Sequence, residues 1–415
     1  MNILIVSHYA GSAKHGMVYR YYYLARCWIE MGHRVRIVAS SESHLRKLHP
    51  VVEAGVAFET IDGIEYVWVK TTRYKKNDLL RVVNMFSFVK SLFFRKGQIL
   101  HDFDPDVVVG SCTYNFEIYA IGRYAKQYGA TFVYDVRDLW PLTLYEMGGY
   151  SKINPFTFLV QKGEDAYCKM ADIIVSVLSG AKRYLVSRGM DEHKFEFIPN
   201  GIYLEDWENP LPLTEEERLP IRYLREGYGT LVGYTGLHGV ANALEHLIEV
   251  ARMLKERDVG FILIGDGPKK RELQNLAGRY CLDNVVFLGY VDKEKIPAYL
   301  SEMDILYIGL NRQPIFLHGV SPNKLFDYMM SARPIVYSVD ADNDLVLESG
   351  CGISCEAENS AAIADSVLKL MSLSESERYE MGRKGRDYVI NNYAYNVLAK
   401  RYIDAIQSIC NKKHL

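Results

Sequence analysis

The sequence predicts an α/β protein of two Rossmann-like, doubly wound domains facing a central cleft. Three observations lead there. The 415 residues exceed what one ordinary core holds together. Short runs rich in Val and Ile alternate with segments of helical periodicity, which is the rhythm of βαβ crossovers. That alternation lapses once and then restarts, so the chain divides near its middle. The expected boundaries are 1–205, 206–390, and a last helix at 391–415 that returns to the first domain.

The first domain opens with a strand at Ile3–Ser7 and continues with strands at Arg34–Val38, Ile64–Val69, Asp106–Gly110, Thr131–Asp135, Ile173–Val177 and Phe195–Ile198. Several are apolar throughout, as parallel strands covered on both faces should be. Between the first two strands, Met17, Tyr21, Leu24, Ala25 and Trp28 recur at helical spacing, and Gly32 stands where a helix is stopped. From Glu205 to about Gly229 the pattern is broken by Pro210, Pro212 and the charged run Glu215–Arg218, which reads as the linker. Strands then resume at Thr230–Tyr234, Gly260–Ile264, Val285–Leu288, Asp304–Ile308 and Pro334–Ser338. Helices are expected at Leu244–Arg257 and Lys269–Arg279, and later around Ala361–Leu373, Glu375–Asn391 and Val397–Ile409. Ligands of such domains lie at the carboxyl ends of the strands.

Composition narrows the function. Charged residues are 24% and the net charge is −2, so nothing global favours nucleic acid. No run is long and apolar enough to span a bilayer. Met1–Val6 reads as a strand and not as a signal peptide. Seven scattered cysteines, an odd count, suggest reduced thiols in the cytoplasm. Only Cys351 and Cys355 are close, and no second pair completes a zinc site, so no metal is expected.

The stretch His318–Met330 carries the strongest local signal. It reads as a loop entering a helix, with Ser321 as the cap and Pro322 at the first helical position. Lys324 falls in the first turn, where the helix dipole disfavours a cation. Free N–H groups, a dipole end and a lysine together suit an anion such as phosphate. Asp327, one turn on, can accept from sugar hydroxyls. An ordinary amphipathic helix with a solvated lysine fits the same spacing.

Other loops follow strand ends. Gly11-Ser-Ala-Lys-His-Gly16 is either a ligand loop or a plain βα turn. Asp135, Arg137 and Asp138 form either an acid–base or sugar-binding cluster, or a salt bridge that fixes their loop. Gly233-Tyr-Thr-Gly-Leu-His-Gly239 lets backbone pass close to a diphosphate, with His238 as an anion contact or a helix cap. Gly265-Asp-Gly-Pro268 ends the next strand, where Asp266 can shape a turn.

Tyr234-Thr-Gly, Gly265-Asp-Gly-Pro268, Phe287-Leu-Gly-Tyr-Val291 and Ser321-Pro-Asn-Lys-Leu-Phe-Asp-Tyr-Met329 with Arg333-Pro334 occur in this order. Together they resemble glycosyltransferase family 4, of GT-B architecture. Gly32-His33 and Arg137-Asp-Leu-Trp-Pro141 resemble its branch of fucosaminyltransferases in bacterial surface-polysaccharide synthesis.

The resemblance implies a retaining transferase that uses a nucleotide-diphosphate sugar, probed first as a UDP-linked N-acetylated amino sugar, without cofactor or catalytic metal. The acceptor it implies is a polyprenyl-diphosphate-linked saccharide of O-antigen or capsule synthesis. Asp327 takes the role of the acid that binds the ribose; Ser321, Asn323 and Lys324 line the sugar-diphosphate; Phe287–Val291 pass the base. The expected donor set is Gly16, Gly236, His238, Gly239, Gly265, Gly267, Leu288, Gly289, Tyr290, Ser321, Pro322, Asn323, Lys324, Leu325 and Asp327. Asp138, Lys324 and Asp327 are the catalytic candidates, and Gly11, His15, Asp135 and Arg137 stand on the acceptor side.

Two departures stand out. Gly319 occupies the place of a glutamate in many relatives, and the arginine and lysine expected near His238 and Asn242 are missing. Lys324, the backbone amides and Arg312 are expected to replace them. A sugar-nucleotide epimerase of the same architecture and a non-catalytic binding protein are the rival readings.

Between Thr71 and Leu100, Arg73, Lys75, Lys76, Arg81, Lys90, Arg95 and Lys96 face one acid, Asp78, amid large apolar residues. This suits a helix lying on an anionic membrane, hence peripheral attachment at the inner face of the plasma membrane. A core helix with an exposed basic edge has the same pattern.

Overall fold

The computed structural model describes residues 1–74 and 79–413. The chain forms two compact units, Met1–Asn200 together with the chain from Tyr395 onward, and Gly201–Ala394.

The first unit is an eight-stranded sheet. Its strands are β1 Asn2–Val6, β2 Arg34–Ser40, β3 Val56–Ile61, β4 Ile64–Val69, β5 Val107–Gly110, β6 Thr131–Val136, β7 Ile173–Ser176 and β8 Phe195–Phe197. Their spatial order is β3-β4-β2-β1-β5-β6-β7-β8. All neighbours are parallel except β3 and β4, which form an antiparallel hairpin at the edge. Ile3 to Val6 and Val107 to Val109 are fully buried, as central strands covered by helices on both faces must be. The order reverses between β1 and β5, so a crevice opens beyond their carboxyl ends.

β3 was not expected. Val56–Ile61 keeps only its last residue buried, so its alternation is too weak to announce a strand. Asp62 and Gly63, both at positive φ, make the turn that pairs it with β4.

The second unit has six parallel strands: β9 Thr230–Thr235, β10 Val259–Ile264, β11 Val285–Leu288, β12 Ile305–Gly309, β13 Ile335–Ser338 and β14 Gly352–Cys355. The order β11-β10-β9-β12-β13-β14 is that of a dinucleotide-binding sheet, with its reversal between β9 and β12. β14, a half-buried edge strand of four residues, also escaped the sequence pattern.

The supposed linker is largely structured. Glu215–Gly227 is a helix started by a capping box, in which Thr214 accepts from the Glu217 N–H and Glu217 reaches back. Pro220 inside it hid the helical period. The last helix, Tyr395–Lys413, packs in the first unit on the helix Arg20–Glu30. Trp28 Nε1 donates to the Ala399 carbonyl at 3.1 Å, and the Trp28 and Tyr402 rings meet edge to face.

Candidate functional site

In the second unit, the loops after β9 and β10 close on each other. Gly236 N donates to the Ile264 carbonyl (2.9 Å) and His238 N to that of Asp266 (2.8 Å). Gly265, at φ +139°, can carry no side chain: a Cβ would fall 1.9 Å from the Gly236 carbonyl oxygen. Lys270 Nζ fastens the arrangement by donating to the carbonyls of Gly265 (2.9 Å) and Leu288 (2.8 Å).

Lys324 lies beneath this cradle. A Cβ on Gly236, whose φ is +135°, would sit 3.0 Å from Lys324 Nζ. The ammonium donates to Tyr234 Oη (2.6 Å) and Asn242 Oδ1 (2.9 Å), and stands 4.1 Å from the Tyr234 ring centroid. Both are neutral partners, so two of its three N–H groups are spent, and among the described residues no carboxylate balances it. Burial lowers its pKa to about 7. Tyr328 ties the helix to β9: its Oη accepts from Thr235 N at 2.6 Å.

The helix start differs from expectation. Pro322 is extended (φ −71°, ψ 121°) and is itself the cap, so the helix is Asn323–Met330. Ser321 then stands one residue too early to cap, and no side chain caps this end. Asp327 is half-buried. Burial raises its pKa to about 6, against the pull of Lys293 and a Trp207 hydrogen bond.

His238 does not cap a helix, and its ring packs between those of Tyr234 and Phe287. It is fully buried, neither ring nitrogen is hydrogen-bonded, and burial beside Lys270 lowers its pKa to about 4. Arg312 cannot serve as the spare phosphate cation, because Asp340 (2.8 Å) and Glu356 already hold it. Gly239, Gly267, Leu288, Gly289 and Tyr290 lie on the loops and edge strand around the cradle, and Leu325 faces the core.

In the first unit, a pocket of about 100 Å3 opens at the carboxyl ends of β1, β5 and β6, where the strand order reverses. Asp135, Arg137 and Asp138 line it, with Tyr9, His44, Arg81 and Thr113. The expected carboxylate–arginine cluster is not an ion-paired one. Asp135 Oδ2 accepts instead from Arg20 (3.3 Å) and Tyr402 Oη (3.2 Å). Arg20 also donates to the carbonyls of Ile198 and Pro199. Asp138 accepts from Trp140 Nε1 (3.0 Å) and Thr143 Oγ1 (2.7 Å), and burial raises its pKa.

Gly11 and His15 do not line this pocket. Their loop closes on itself through mutual Ser12–Gly16 backbone bonds, and the His15 ring is held by Ser12 Oγ (3.0 Å) and lies near Glu59. Arg81, Tyr9 and His44 were missed as pocket residues. Of the three only Arg81 stands out in the sequence, within the basic stretch that suits an anionic membrane.

Two family models match the chain: "Glycosyl transferase 4-like domain" over residues 15–201 and "Glycosyl transferases group 1" over residues 229–372. The chain belongs to these glycosyltransferases. An uncharacterized glycosyltransferase of Methanocaldococcus jannaschii is 22% identical over 245 residues, 59% of this chain and 60% of that protein. The chain thus spans less than two thirds of that relative's length. A glycosyl transferase of Escherichia coli K12, named for colanic acid biosynthesis, is 20% identical over 90% of both chains. The crystal structure of Anabaena HepE in complex with UDP-glucose superposes with a TM-score of 0.68 and 12% identity, covering 98% of this chain and 100% of that one. That likeness gives the GT-B fold.

Proposed function

We propose that this glycosyltransferase moves a sugar, with retention, from a UDP-linked N-acetylated amino sugar to a polyprenyl-diphosphate-linked saccharide. The carrying observation is the Lys324 ammonium, held under Gly236 by neutral partners alone. Breaking the bond to the anomeric carbon puts charge on a leaving diphosphate. A preorganised cation and backbone N–H groups would stabilise it where water is excluded. Asp327 accepts from the ribose hydroxyls, and His238 and the glycine loops border the diphosphate. UDP is supported by the HepE complex, and a role in O-antigen or capsule synthesis by the E. coli relative's name.

The acceptor hydroxyl attacks from the leaving-group side and the diphosphate oxygen takes its proton. Asp138, with both oxygens engaged in its own loop, positions the acceptor site and need not be a base. Attachment to the inner face of the membrane runs through the helix Leu79–Phe94. Among the described residues no helix is long and apolar enough to cross a membrane.

The test is incubation of the purified chain with UDP-N-acetylglucosamine and related sugar nucleotides, and a polyprenyl-diphosphate saccharide. Product with the donor's anomeric configuration by NMR is expected. An inverted product, or no transfer from any UDP-sugar, would overturn this reading.

A further inference from the structure

The pocket of the first unit holds charges of unlike standing. Asp138 is satisfied within its loop, and Asp135 gives one oxygen to Arg20 and Tyr402. Arg137, between them in sequence, is half-buried and makes no hydrogen bond or ion pair with any described residue. Partly stripping a guanidinium of water without giving it an acceptor is costly, so the arginine alone is an incomplete site. Arg81, from the helix Leu79–Phe94, adds a second cation to the lining, its Nε 3.2 Å from Tyr9 Oη.

The same pocket has unmet needs of the other kind. Asp135 Oδ1 is buried and accepts nothing, and Thr113 Oγ1 is buried without a partner. One carboxylate oxygen therefore lacks a donor, while one guanidinium lacks an acceptor. A neutral sugar meets only the first need, and a bare anion meets only the second. The pocket's roughly 100 Å3, the share of about three waters, holds a charged group with the edge of a sugar ring.

We propose that this pocket binds an anionic saccharide. Its phosphate or carboxylate oxygens accept from Arg137, with Arg81 adding charge, and a ring hydroxyl donates to Asp135 Oδ1. Guanidinium recognises both anions in a planar, two-pronged way. Resting on the proposed transfer reaction, this makes the acceptor an acidic saccharide.

The experiment is isothermal titration of the full chain, first with UDP and then, with UDP saturating, with glucose 1-phosphate, glucuronic acid and methyl glucoside. The charged probes should bind at least tenfold more tightly than methyl glucoside, and the tighter of the two names the anion. Arg137→Gln should erase that difference, and Arg137→Lys should keep part of it. A parent-like melting curve establishes that the variants are folded. Equal affinity for charged and neutral probes, binding of none, or a parent-like Arg137→Gln overturns the proposal. Failure of UDP to bind would count against the donor reading alone, since the three saccharides can be titrated without it.

Discussion

At the scale of residues, Lys324 and Asp327 show how one short helix serves opposite charges. A lysine in a first helical turn faces the positive dipole end, and here no described residue gives it a counter-ion, so its ammonium is poorly stabilised until an anion arrives. A diphosphate should raise its pKa again. UDP binding at pH 8 should therefore be accompanied by proton uptake, read from titration heats in HEPES and Tris buffers. Lys324→Ala should bind without that uptake and lose more in kcat than in KM, because its charge matters most as the leaving group ionises. Equal proton uptake by variant and parent would remove Lys324 from the diphosphate. Asp327 works in the other direction. Its pKa near 6 means the carboxylate can accept from ribose at neutral pH and loses that capacity as pH falls. UDP affinity should weaken below about pH 6. Asp327→Asn should cost about 1.5–3 kcal/mol at pH 7.5 and flatten that acid limb. An unchanged acid limb would reject the assignment.

At the scale of elements, the helix Leu79–Phe94 is apolar almost all round. Met85, Phe88, Val89 and Leu92 face the core, while Leu79 (82% exposed), Leu80, Val83, Phe86 and Phe94 (81%) remain outside. Of these, Phe86 stacks on Phe116, whereas Leu79 and Phe94 stand almost wholly in solvent, and Lys90 and Lys96 follow on the same stretch. Lys75, Lys76 and Asp78, part of the same sequence pattern, lie outside the described residues. Arg81 lines the pocket instead, so one helix carries both an exposed apolar stripe and part of a pocket lining. Sedimentation with vesicles containing phosphatidylglycerol should show salt-sensitive binding. It should fall severalfold in a Lys90→Glu, Arg95→Glu, Lys96→Glu variant and also in Phe94→Ser. Binding to neutral vesicles alone, or no loss in either variant, would refute attachment here. Central strands such as β1 and β9 were legible because burial on both faces demands unbroken apolar runs. The edge strands β3 and β14 were not, since half-exposed strands lose that constraint. The Gly236–Gly239 loop and Lys324 were legible because glycine and a misplaced charge are local signals. The Arg20–Asp135 pair was not, because its partners are 115 residues apart and only the fold joins them.

At the scale of the whole molecule, buried ionisable groups pull stability in opposing directions with pH. The buried histidines His8 and His238 have lowered pKa values, so they favour the folded state as pH rises through the range where the unfolded chain's histidines lose their protons. Glu117 and Glu164 oppose them. Burial raises each carboxyl to about 7; the hydrogen bonds from Tyr167 to Glu117 and from Tyr184 to Glu164, with Arg188 near the latter, offset only part of the lost water. The folded state therefore holds extra protons between about pH 4.5 and 7, and parent stability from these two groups is full below that window and lost as pH climbs through 7. Glu117 isolates the effect. Its Oε1 accepts from Tyr167 Oη (2.6 Å) and Cys112 N (3.3 Å), and its Oε2 has no partner. Glutamine can keep both bonds on its carbonyl oxygen, and its amide group adds a cost that does not vary with pH. The unfolding free energy of Glu117→Gln minus that of the parent should therefore rise from pH 4.5 to 7.5 by on the order of 3 kcal/mol, then level off. Urea unfolding at several pH values measures it, and a difference that stays flat, or falls, across that window would show that Glu117 is not held protonated by its burial.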